Sequence, residues 1–109
     1  MYSLEEITKI AYHLFEEGES REFLCKRLAE LNLMLDQVFP DVNFLAEDEI
    51  AVVELKIPPG KVELKKSEPN RIQYFADSIF QSTLTIPDLH WLIAERKYLL
   101  KKIIPNIEG

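Results

Sequence analysis

Apolar positions in the first forty residues recur at helical intervals. Leu4, Ile7, Ala11 and Leu14 follow one another at helical steps, Ser3 and Glu6 have the spacing of a capping box, and Gly18 supplies a stop. This predicts a helix over 4–17. Ser20 opens a second helix in which Leu24, Leu28, Leu31, Leu35 and Val38 form one stripe until Pro40 ends it. The short link between the two predicts a helical hairpin, although the tail at 33–39 also reads as a strand.

After Pro40 the period changes. Val42–Ala46 is a short candidate strand, Glu47, Asp48 and Glu49 a polar turn, and Ile50–Ile57 a β-prone run whose first half is apolar on both faces, as an interior strand would be. Pro58, Pro59 and Gly60 mark a turn before Val62–Lys65 returns with alternating character. Asn70–Gln81 sets Ile72, Phe75, Ala76, Ile79 and Phe80 at helical spacing, and Ser82–Ile86 reads as a further short strand. Pro87 suits a first helical turn, and Leu89, Leu92, Ile93, Leu99, Leu100 and Ile103 stripe a last helix that stops before Pro105. The order predicts an α/β fold: a small mixed β-sheet flanked by helices, with the helical hairpin at its N-terminal side. An α+β alternative packs a β-hairpin on a helical bundle.

The 109 residues predict a single domain, 1–109. The apolar runs are too short to cross a bilayer, no secretory leader pattern opens the chain, and the one cysteine, Cys25, fits a reducing compartment, so a cytoplasmic protein without membrane contact is expected. The net charge of −6 conceals an asymmetry: residues 1–55 carry 4 basic and 13 acidic side chains, residues 56–109 carry 9 and 6. An acidic chain lacks the field of a protein that coats nucleic acid, while the second half leaves room for a local basic surface.

Pro40-Asp41-Val42-Asn43-Phe44-Leu45, followed by Val52-Val53-Glu54-Leu55-Lys56, resembles the signature of the PD-(D/E)xK nuclease superfamily. The resemblance implies a restriction-endonuclease-like core and Mg²⁺-dependent (or Mn²⁺-dependent) endonuclease action on DNA by phosphodiester hydrolysis; a chain this small has little surface for gripping a duplex, so a homodimer is expected. Asp41 and Glu54 would hold the metal, Lys56 would activate or orient the attacking water, and Glu30 would add a carboxylate from the preceding helix. On a strand, Glu54 and Lys56 share one face, and a neighbouring strand ~4.8 Å away brings Asp41 within reach of the same ion. Such an ion polarises a phosphoryl oxygen and lowers the pKa of bound water.

The same residues admit a structural account. Across a four-residue loop at Pro58–Lys61, Lys56 faces Glu63 and Glu54 faces Lys65, ordinary cross-strand charge pairs. A rival function then follows, an acidic interaction module of the inhibitor, antitoxin-like or adaptor kind, whose Glu16, Glu17, Glu19 and Glu22 meet a basic protein partner; a catalytically inactive nuclease fold used for binding is the third reading. Arg96 falls within the last helix's apolar stripe, where pairing with a buried acid or facing a phosphate are alternatives to the expected arrangement, a stem along apolar surface with its head in water. Trp91 and Tyr98 lie opposite that stripe as a partner contact or as packing, and Cys25 reads as a structural thiol.

Overall fold

Capping fixes where the helices begin. The computed structural model describes residues 3–39 and 64–103, which form four helices: α1 (Leu4–Glu17), α2 (Arg21–Val38), α3 (Pro69–Phe80) and α4 (Ile86–Ile103). Ser3 and Ser20 each accept a hydrogen bond from a backbone N–H three residues on, Glu6 at 3.3 Å and Phe23 at 3.1 Å, satisfying donors that a helix start leaves open. Gly18 ends α1 in the left-handed conformation, φ 65°, where any Cβ would be strained. Thr85 and Asp88 cap α4 reciprocally: Asp88 N–H donates to Thr85 Oγ1 at 3.2 Å and Thr85 N–H donates to the Asp88 carboxylate at 2.9 Å.

The Asp88 carboxyl is held below its ordinary value of 3.8 first by the backbone hydrogen bond from Thr85 and then by the Thr85 side chain. A carboxylate whose folded pKa is depressed contributes stability above its unfolded pKa and loses that contribution as pH falls through the folded value. The stability difference between the native protein and Asp88→Asn is therefore expected to be constant near neutrality and to shrink below about pH 4. Urea titrations across that range check it; a difference that grows on acidification contradicts the capping role.

Amphipathicity decides which helices are central. α1 buries only Ile7 and Leu14, and α3 only Ala76 and Ile79, so each lays a narrow stripe on the bundle. α2 and α4 bury eight and ten residues. That much burial requires neighbours on more than one face. Accordingly α1 packs on α4, α4 on α2 and α2 on α3. The shared core includes Ile7, Leu24, Leu35, Leu89 and Ile93, all essentially without solvent exposure.

Hydrogen bonds fix the directions. Arg21, first in α2, reaches Phe80 at the end of α3 and Leu84 before α4, while Asn32 in α2 meets Arg96 in α4. Gln37, near the end of α2, pairs with the backbone of Lys65 ahead of α3 through both its amide groups, at 2.8 and 2.9 Å. α2 thus runs antiparallel to α3 and parallel to α4.

The expected α/β class is corrected by this arrangement. Among the described residues the fully buried core is made of helical side chains, with Phe39, Leu64 and Leu84 packed against it, and no strand occurs, so neither the mixed sheet with a restriction-endonuclease-like core nor a hairpin packed on the bundle is found there. The tail at 33–39 is helical through Val38 because Leu31 and Leu35 continue the stripe that packs in the core. At 82–86 the chain turns and starts α4, its Thr85 engaged in the capping box instead of a strand pair. The candidate strands at 42–46 and 50–57 lie outside the described residues; Leu64 and Lys65, at the end of the third, are not in a strand. The hairpin expectation also changes, because α1 seats on α4. No helix among the described residues is long and apolar enough to cross a membrane.

Candidate functional site

One guanidinium organises an end of the bundle. Arg21 Nε donates to Leu84 O at 3.0 Å, one terminal nitrogen to Phe80 O at 2.6 Å and the other to Ser82 O at 3.0 Å. A planar fork of donors meets carbonyls left open by the end of α3, and the cation suits a helix C-terminus. The guanidinium also stacks over the Phe80 ring, 4.8 Å from its centroid. With Gly18, Glu19 and Ser20 joining α1 to α2, the end of α1, the start of α2, the end of α3 and the start of α4 all meet here.

This end is acidic and apolar together. Glu16, Glu17, Glu22, Asp77 and Asp88 are exposed and Glu19 is half-exposed, while Arg21, the one arginine or lysine in 12–23 and 77–90, has its nitrogens turned onto carbonyls. Among these carboxylates stand Phe15, Phe23, Phe80 and Ile86, exposed by 68, 49, 47 and 41%. Four large apolar side chains at one end form the kind of patch that marks an interaction surface. Beneath it, the Phe15 ring meets His90 edge to face, centroids 6.5 Å apart, and Tyr12 packs beside Phe15 at 6.4 Å. His90 is 7% exposed, and its Nε2 has no hydrogen-bond partner among the described residues. His13 is exposed and lies 3.6 Å from Glu16.

Of the residues expected to form a metal site, Asp41, Glu54 and Lys56 lie outside the described residues. Glu30 is half-buried and stands 3.8 Å from Arg27, an ion pair along one helix face, and it borders a cleft of about 390 Å³ whose floor is Met34, Leu64 and Ile72. No group of three or more His, Cys, Asp or Glu residues suited to a metal ion occurs among the described residues.

Arg96 departs from the expectation that its head lies in water. It is 3% exposed; Nε donates to Asn32 Oδ1 at 3.0 Å and a terminal nitrogen lies 3.7 Å from Glu95. Desolvation holds its pKa down, opposed by Glu95. Tyr98 is buried in the core and Trp91 half-buried against it, so this pair is packing. Cys25 is buried too, its thiol pKa pushed up by burial and only partly offset by Arg21, as an inert structural thiol requires.

Sequence periodicity located the acidic run but not the aromatic side chains within it. The available signal was positional: Phe15 and Phe23 stand one residue off their helices' stripes, beside Leu14 and Leu24. Compared with models of known protein families, with curated proteins and with solved structures, the chain matches none.

Proposed function

We propose that this chain is a protein-interaction module, of the inhibitor, antitoxin-like or adaptor kind, that holds a basic and partly apolar segment of a partner protein against the bundle end. The supporting observation is the exposure of Phe15, Phe23, Phe80 and Ile86 among six carboxylates at that one end. Aromatic anchors supply contact area at small conformational cost, and the carboxylates select a cationic partner and speed its encounter. Acidic partners are repelled by the same field.

A synthetic helical peptide patterned with lysine and leucine tests the reading by fluorescence anisotropy. The native chain is expected to bind it, with affinity falling as salt screens the carboxylates. The variant Glu16→Gln, Glu17→Gln, Glu19→Gln, Glu22→Gln is expected to bind about tenfold more weakly at low salt, equivalent to 1.4 kcal/mol. Absence of binding by the native chain, or an affinity indifferent to both salt and neutralisation, overturns it.

A further inference from the structure

Beneath the acidic and aromatic surface lies a buried imidazole. His90 stands in the first turns of α4, more than nine-tenths buried, and its Nε2 is without a hydrogen-bond partner among the described residues. An orphaned buried nitrogen is costly in a folded protein, because it has surrendered water and gained nothing. From α1, the Phe15 ring packs against the imidazole, the two planes nearly perpendicular and the centroids 6.5 Å apart. Most of that ring is already in water, as is Tyr12 beside it, so turning Phe15 aside gives up little buried area.

We propose that His90 is the specificity anchor of this surface: a lysine or arginine of the partner segment moves the Phe15 ring aside and donates a hydrogen bond to Nε2 of the buried imidazole. The inference rests on the reading of this end as a docking surface for a basic segment, and it adds the group that recognises the cation's N–H. A neutral imidazole offers one acceptor nitrogen, and Nε2 is that acceptor when Nδ1 carries the proton. An ammonium or guanidinium fits on both counts, since it is drawn in by Glu16, Glu17, Glu19 and Glu22 and has only donors to present. A carboxylate or phosphate is excluded by the same field.

The experiment separates charge from hydrogen bonding. The lysine and leucine peptide is titrated into the native chain and into His90→Phe, alongside the same peptide with every lysine trimethylated, which keeps the charge and removes the donor. On the native chain, trimethylation is expected to weaken binding about tenfold; on His90→Phe the two peptides are expected to bind alike, at the weaker level. In long-range ¹H–¹⁵N spectra of the native chain, the His90 Nε2 resonance is expected to shift with the lysine peptide and to stay in place with the trimethylated one. This readout decides the matter even where His90→Phe fails to fold. If the native chain binds the lysine peptide while trimethylation changes nothing and Nε2 does not move, the anchor is wrong and the docking surface stands. If the native chain binds neither peptide, both readings fall.

Discussion

Replacing Arg96 with methionine is expected to destabilise the fold by about 3–5 kcal/mol, the range for removing one partner of a buried ionic pair. The substitution keeps much of the stem's apolar volume, so the loss reports the head. Without the guanidinium, the buried Glu95 carboxylate loses its cationic neighbour at 3.7 Å and the buried Asn32 loses the donor to Oδ1. Against a total of 5–15 kcal/mol typical of a domain, a loss of this size would leave the chain close to unfolding. Arg96→Lys is expected to fall between the two, because an ammonium keeps the charge but not the planar fork that serves Asn32 and Glu95 together. Urea unfolding checks the series, with exposed Lys102→Met as the control expected within about 0.5 kcal/mol of the native protein. An Arg96→Met variant as stable as that control would place the head in water after all.

The pair also illustrates what could be read from the chain and what could not. Helix bounds were legible because their determinants are local: Ser3, Ser20 and Gly18 act within a turn of themselves, and the apolar intervals of Leu24 to Leu35 repeat within one element. Position 96 was legible as lying within the apolar stripe. Whether its head returned to water or stayed inside depended on Asn32, 64 residues away in sequence. Such a choice is settled by packing order, and the stripes alone do not say that α1 lies on α4 rather than folding back on α2.

Ser82–Ile86 shows the opposite failure. Its β-prone residues suggest a strand, but a strand needs a partner, whereas Thr85 finds Asp88 within three residues and starts a helix. Within the candidate site, the carboxylates of Glu16 to Glu22 stood out by charge. Phe80, however, falls at helical spacing on α3's apolar face, yet it is nearly half exposed, lying under a guanidinium contributed by α2. That His90 Nε2 has no hydrogen-bond partner among the described residues carries no sequence signal, because it depends on how separate elements pack around it.

Arg21→Ala is the second substitution expected to have a large effect, about 2–3 kcal/mol, even though the residue is only half-buried. Its three hydrogen bonds are charge-assisted, each end of the fork meets a different carbonyl, and together they tie the start of α2 to Phe80, Ser82 and Leu84. Water can replace part of each bond once the side chain is gone, which keeps the expected loss below the sum of three. Arg21→Lys is expected to lose most of the same energy, because one ammonium cannot hold three carbonyls spread over five residues. The effect should be strongest at this end. Amide hydrogen exchange is expected to accelerate around the Ser82 and Leu84 turn and in the first turn of α4, while protection around Leu31 and Leu35 falls only by the global change in stability. The mutation also frees the Phe80 ring from the guanidinium stacked on it, so affinity for the lysine and leucine peptide is expected to fall along with stability. Uniform acceleration of exchange across all four helices, with peptide affinity unchanged in the folded fraction, would show that Arg21 supports the bundle as a whole and does not shape the docking end.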